Sequence, residues 1–382
     1  MTHLTQTNSA NNTNGQIAQD SAQIKEAKLS AEWLKNLCLE EGADDAGFVE
    51  AHRPALASEK TGMDRLYPRT RSLISIVQVM NRENIQSLER YPANMEFHQT
   101  IDNLTDTARR IVKKLNARGV RGLVPTMGFP MDMDRWGEIK MWDVSHKRVA
   151  EEAGMGRMGI HRNVIHPRFG NFILLETILI DTEIDTYDRP LDYNPCLTCN
   201  LCVSVCPVDA IHPDGDFDFS ACLTHNYREF LGGFQDWVDA MVTADDMAGY
   251  KKRFKDTETV SMWQSLSFGA NYKSAYCMAV CPAGEDVIPL FDADKKSYVD
   301  EILRPLKEKP EPIYVRPGTP AETAAKRNKN KQVRYIQTAP NQLQSKVFYV
   351  ASRLPSTLKK PKTSRPLTIL FLRGKSPPRP AF

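Results

Sequence analysis

The sequence predicts an α+β fold in three parts: a domain of alternating helices and strands, a cysteine-rich module, and a basic, largely irregular C-terminal tail. Three observations predict it. Helical and strand periodicities alternate from about residue 31 to 180; seven of the eight cysteines fall between 196 and 281; and proline and basic residues accumulate after 304. The boundaries read 1–28 for a leader, 29–190 for the α/β domain, 191–295 for the cysteine module with an aromatic-rich insertion at 223–273, and 296–382 for the tail.

The leader is polar, with no apolar segment typical of a signal peptide and no twin-arginine motif, and reads as disordered. Residues 31–41 put Trp33, Leu34, Leu37 and Cys38 on one side of a helix that stops at Gly42. Cys38 reads there as a small buried hydrophobe. A strand follows at 45–50, and the β-branched run 72–79 predicts a buried strand. Ile101, Leu104, Ala108, Ile111 and Leu115 set a helix over 98–118, ending at Gly119. A second helix, about 143–153, leads into Gly154, and 172–180 is another buried strand. The result is a sheet covered by helices.

Between that helix and strand, Gly154, Gly156 and Gly159 fall within six residues, with Arg157 among them and His161 and Asn163 just after. Clustered glycines let a backbone turn sharply and approach a neighbour closely. The spacing ends a helix instead of opening one after a strand, which argues against a dinucleotide fingerprint. A ligand-binding turn and a purely structural turn both remain open.

Residues 196–207 carry the most specific pattern. Cys196, Cys199, Cys202 and Cys206-Pro207 follow the spacing C-x2-C-x2-C-x3-C-P, the bacterial ferredoxin run in which three thiolates meet one iron–sulfur cluster and the fourth reaches a second. Zinc is the alternative, but its four ligands usually come as two separated pairs. Cys277 and Cys281-Pro282 repeat the C-x3-C-P ending. By the crossed arrangement, Cys281 joins Cys196, Cys199 and Cys202, leaving Cys206, Cys222 and Cys277 for the second cluster. The returning run has Ser274 where another cysteine is expected. The second site is therefore a three-iron cluster, a four-iron cluster completed by Ser274, water or substrate, or empty.

The charge balance of +3 hides an asymmetry. From Arg304 onward, 18 Lys and Arg face three acids, leaving 32 against 44 elsewhere; the same stretch holds 12 of the 24 prolines. It reads as an extended basic tail with apolar islands at 347–350 and 367–372, either solvated or contacting RNA, an acidic partner or anionic lipid. There is no transmembrane run, and thiolate-held clusters suit a reducing interior. The expected compartment is the cytoplasm.

At this point the sequence resembles epoxyqueuosine reductases and the related corrinoid reductive dehalogenases. Tyr67–Val77 is similar to an early strand of that superfamily. Ala153 to Asn163 resembles its A-G-L-G-W-I-G-K-H-T-N signature, keeping Ala153, Gly154, Gly156, Gly159, His161 and Asn163; Phe169–Glu176 resembles the strand after it, and Cys222-Leu-Thr its isolated cluster cysteine. The likeness covers roughly 30–290. It implies a nitroreductase-like α/β corrinoid-binding domain, with cobalamin held between that domain and two 4Fe-4S-type clusters. Electrons would come from a ferredoxin, flavodoxin or reductase. Gly154, Gly156, Arg157, Gly159, His161, Asn163, Phe169 and Gly170 are then expected around the corrinoid.

The resemblance implies reductive cleavage of a carbon–oxygen or carbon–halogen bond in a small-molecule or modified-nucleoside substrate. The alternative is an electron-transfer protein without corrinoid that serves a partner enzyme. Lys140, Asp143 and His146, at i, i+3 and i+6 on the predicted helix, are the candidate proton donors, against a solvated helix face. The catalytic Asp that epoxyqueuosine reductases carry about fourteen residues before the first glycine is replaced by Lys140, Arg157 stands where the signature has Trp, and 54 residues separate Cys222 from Cys277. His161 and His166 flank the turn as ligand-facing or structural hydrogen bonders.

Overall fold

The computed structural model describes residues 28–130, 142–193, 196, 199–272 and 275–337. Lys140, Ser274 and the apolar islands of the tail lie outside the described residues. The chain runs through α1 (Ala31–Glu40), β1 (Asp45–Glu50), α2 (Lys60–Leu66), β2 (Ser72–Val79), α3 (Arg82–Gln86), α4 (Arg90–Asn116), β3 (Gly122–Leu123), α5 (His146–Glu152), the hairpin β4 (Arg157–Met158) and β5 (Val164–Ile165), and β6 (Ile173–Ile180).

β1, β2, β6 and β3 form one antiparallel sheet in that order, with Gly47 opposite Ser75 and Ser75 opposite Thr177. Helices cover both faces, so β2 and β6 are apolar runs rather than alternating strands. On one face Ile74, Ile76, Ile178 and Ile180 pack against Leu104, Ala108, Ile111 and Leu115 of α4 and against α1, where Cys38 is fully buried. On the other, Leu73, Val77, Leu175 and Leu179 meet Val149, Ala150 and Ala153.

Two helices differ from the sequence expectation. α4 begins at Arg90, eight residues before 98, because Ala93 and Phe97 extend its buried stripe onto a second core with Ile85 and Phe172. α5 begins at His146, with Ser145 at the N-cap position in extended geometry. Asp143 therefore precedes the helix, within 3.4 Å of Arg65. Asp143 and His146 thus do not share the predicted helix face, and Lys140 lies outside the described residues.

The cysteine module follows Tyr193. It contains α6 (Leu201–Val205), α7 (Phe219–Asn226), α8 (Gly232–Thr243), α9 (Met247–Arg253), α10 (Asp256–Phe268) and α11 (Tyr276–Ala279), then α12 (Ile288–Ala293) and α13 (Lys295–Tyr298). A π-helical stretch, Val299–Leu303, leads into α14 (Arg304–Glu308).

The tail expected to be irregular from 296 is folded as far as the description reaches. β7 (Pro312–Val315), α15 (Pro320–Lys326) and β8 (Gln332–Tyr335) form a small unit with the two strands parallel. Ile313, Val315, Ala321 and Ala325 pack on Val208, Ala210 and Ala221 of the module. Four of its basic residues form ion pairs: Lys331 with Glu311 and Lys326 with Glu322 within the unit, Arg334 with Glu258 and Arg327 with Asp209 of the module. Among the described residues no helix is long and apolar enough to cross a membrane.

Candidate iron–sulfur site

Four thiols line one cavity. Cys196, Cys199, Cys202 and Cys281 surround it together with Ile160, His161, Ile165 and Ala283. The first three come from the turn entering α6 and from α6 itself; Cys281 arrives from the far end of the module, just after α11. Cys206 closes α6 and points elsewhere. Cys222 on α7 and Cys277 on α11 lie close enough to it, and Cys222 to Cys277, to act on one another electrostatically. Cys277 also lies near Cys202 and Cys281 of the first group, so the two groups adjoin.

Backbone donors are already aimed at these sulfurs. Ile160 donates to Cys196 and Ala283 to Cys281. The Cys206 sulfur accepts from Ala210 at 3.3 Å and from Val208 and Ile211. Burial pushes every one of the seven thiols up, Cys277 to about 12. A thiolate in such surroundings needs a metal's charge, and soft sulfur selects iron–sulfur clusters or zinc. Zinc requires ligands converging on one point about 2.3 Å from each sulfur. The C-x2-C-x2-C-x3-C-P spacing instead brings three sulfurs from one short run to one larger object. The four thiols ring a space, and the donor set fits a cluster.

The residues expected around a corrinoid do not enclose one. The close approaches made by the glycines are to protein. A Cβ at Gly156 would overlap the Ile165 carbonyl and one at Gly170 the Ala283 carbonyl, while at Gly154 it would lie 2.9 Å from the Arg189 carbonyl. Gly154 and Gly170 also have φ of +72° and +64°, where glycine is favoured. Arg157 lies 4.0 Å from Glu151, Phe169 stacks on His166 at 4.7 Å, and the Asn163 side chain accepts from Lys147 at 3.0 Å. His166 is a structural hydrogen bonder, 2.9 Å from Asp45. His161 lines the four-thiol cavity. As a set these residues do not fit a corrinoid.

A larger concavity lies elsewhere, between α4 and the segment after β3, lined by Ile101, Thr105, Arg109, Val124, Thr126 and Phe129. The Phe129 ring stacks on Phe230 at 4.4 Å and lies 6.4 Å from Tyr227. Tyr227 in turn sits beside Cys222 and Cys277, and burial pushes its hydroxyl well up. An aromatic bridge thus joins the three-thiol group to the concavity.

Behind that concavity lies a buried polar group the sequence reading missed. Glu176 is fully buried on β6, with Oε1 3.5 Å from Nδ1 of His146, and it hydrogen-bonds Thr105. Burial raises the Glu176 carboxyl to about 8 and lowers His146 to about 4, so both are neutral near pH 7. His146 is held by the Thr177 hydroxyl at 2.9 Å and the Thr126 carbonyl at 3.3 Å. His146 is therefore interior, not a solvated helix face. One signal for Glu176 was present: a single carboxylate in the apolar run 172–180.

Residues 190–212 match the family model of the 4Fe-4S binding domain. Three curated relatives give the wider context. An epoxyqueuosine reductase of Cellulophaga algicola is 28% identical over 117 residues, covering 28% of this chain and 38% of that one. One from Cyclobacterium marinum is 30% identical over 117 residues, covering 28% and 37%. The Leadbetterella byssophila protein of the same name is 29% identical over 161 residues, covering 40% and 47%.

The chain is similar to epoxyqueuosine reductases.

It spans less than half the length of those relatives. Among solved structures, epoxyqueuosine reductase from Streptococcus thermophilus aligns with a TM-score of 0.41 and 17% identity, covering 70% of this chain and 74% of that one. A reductive dehalogenase whose structure is described as suggesting a mechanism for B12-dependent dehalogenation aligns with a TM-score of 0.43 and 14% identity, covering 75% and 41%.

Proposed function

We propose that this chain is an iron–sulfur oxidoreductase that takes electrons from an external donor and delivers them to a group bound in the concavity beside Phe129. The observation that carries this is the sorting of seven thiols into a group of four and an adjacent group of three. Bound clusters supply one-electron carriers at potentials set by their surroundings. Cys196, Cys199, Cys202 and Cys281 hold the first, and Cys206, Cys222 and Cys277 the second. Backbone N–H groups at Cys196, Cys206 and Cys281 stabilise the sulfur charge. Tyr227 and Phe129 fill the space between the second group and the concavity and exclude water from it. The protonated Glu176 carboxyl, joined to Thr105 at the concavity wall, is the proton store for a reduction there.

Reductive cleavage of a carbon–oxygen or carbon–halogen bond is the form of this activity that the resemblance supports, with a modified nucleoside among the substrates. The relatives' names support the reductase class. The glycines expected around cobalamin abut protein instead. That same observation favours the second reading, an electron-transfer protein that serves a partner enzyme without a corrinoid.

Anaerobic reconstitution with iron and sulfide, in parallel arms with and without cobalamin, tests these readings. Two clusters' worth of iron with a reducible charge-transfer absorbance supports the proposal. Retention of stoichiometric corrinoid would identify the bound group and overturn the second reading. Zinc in place of iron, or failure to take up sulfide, sinks the proposal.

A further inference from the structure

His161 is 4% exposed and borders the four-thiol cavity. Its Nδ1 accepts a hydrogen bond from the Asn163 backbone N–H at 3.1 Å. A neutral imidazole whose Nδ1 accepts must carry its proton on Nε2. That Nε2 has no protein partner. A buried N–H without a partner costs on the order of 1–3 kcal/mol, so its persistence calls for an acceptor. The ring has little freedom to find one elsewhere. It lies directly on Gly159, where an added Cβ would sit 2.8 Å from Cε1 and 3.1 Å from Nε2. Gly159 thus has no side chain because the imidazole occupies that space.

We propose that His161 donates a hydrogen bond from Nε2 to a sulfur of the cluster held by Cys196, Cys199, Cys202 and Cys281, and thereby raises that cluster's reduction potential. The inference rests on the reading that these four thiols hold a cluster. Reduction adds negative charge to the sulfurs, and a fixed N–H donor stabilises the reduced form more than the oxidised one. The turn that resembles a ligand-binding signature then serves the cluster directly. Gly159 makes room for the ring, Asn163 sets its tautomer, and His161 faces the sulfur. Neighbouring Ile160 supplies a backbone donor to Cys196 from the same turn.

The test uses the full chain reconstituted anaerobically with iron and sulfide and grown with 15N-labelled histidine. Pulsed electron paramagnetic resonance of the reduced protein is expected to show a 15N coupling that disappears in His161→Gln, where the labelled ring is gone. In redox titrations, His161→Phe is expected to move one midpoint to a more negative potential while the other stays. His161→Gln keeps an N–H near the same place and is expected to restore most of the shift. A fully iron-loaded wild type with no 15N coupling overturns the inference, as does His161→Phe with both midpoints unchanged. Absence of iron from the wild type would instead overturn the cluster reading itself. The labelled wild type decides the matter even where His161→Phe does not fold.

Discussion

The Cα of Gly170 lies against the carbonyl oxygen of Ala283, two residues beyond Cys281. This is where the α/β domain touches the loop that carries the fourth thiol of the first group. The Gly170 turn is closed by paired backbone bonds with His166 at 2.8 and 2.9 Å, so it cannot easily retreat. Gly170→Ala combines a collision with a left-handed φ of +64°. It is expected to destabilise the protein by about 1–3 kcal/mol. Iron in the first cluster is expected to fall with it, read by iron analysis and chemical denaturation. Full iron content with an unchanged denaturation midpoint would contradict this account of the contact.

The folded part of the basic segment is tied together around a buried cation, Lys331. Lys331 donates to Glu311 at 2.8 Å and to the Lys309 carbonyl at 2.8 Å, and Glu311 also accepts from the Tyr276 hydroxyl, next to Cys277. Removing one partner of a buried pair costs about 3–5 kcal/mol because the other charge is stranded. Glu311→Ala should therefore destabilise in that range in urea unfolding. The double variant Lys331→Met, Glu311→Gln should recover much of the loss. A loss below about 1 kcal/mol for the single change would show that the Lys331–Glu311 pair does not hold this unit together.

Glu176 gives stability a pH dependence of known sign. Its carboxyl binds a proton more tightly in the fold, at about 8, than at its ordinary 4.5, because burial disfavours the charge. The stabilisation is complete below about 4.5 and is lost as pH rises through 8. The loss across that window is on the order of 5 kcal/mol. Glu176→Gln should flatten it. Denaturation midpoints measured from pH 5 to 9 check this, and parallel profiles for the two proteins would refute the buried neutral carboxyl.

The cluster cysteines were legible because their information is local: three ligands from one short run must meet one object, so spacing alone carries the geometry. That spacing also predicts the crossing of Cys206 and Cys281, and Cys281 does line the cavity of the first three. The glycine turn was only half legible. Glycines at 154, 156 and 170 announce close approach, yet nothing in a sequence says whether a ligand or a carbonyl is approaching, and here it is Arg189, Ile165 and Ala283. The segment from 304 to 337 misled because alanines and two four-residue strands bury little by themselves. They fold by docking on Val208, Ala210 and Ala221. α5 lost its predicted first turn because Asp143 turns to Arg65. Glu176 and Phe129 went unnoticed since their roles depend on neighbours far away in the chain.

The division of the thiols into Cys196, Cys199, Cys202, Cys281 and Cys206, Cys222, Cys277 is the central claim, and exchanging one cysteine from each group tests it most directly. In the reconstituted, reduced protein, Cys206→Ala should keep the paramagnetic signal of the four-cysteine cluster and lose the other. Cys281→Ala should do the opposite, although Cys206 belongs to the same short run as Cys196, Cys199 and Cys202. If Cys206→Ala abolished the four-cysteine signal while Cys281→Ala spared it, the crossed arrangement would be wrong.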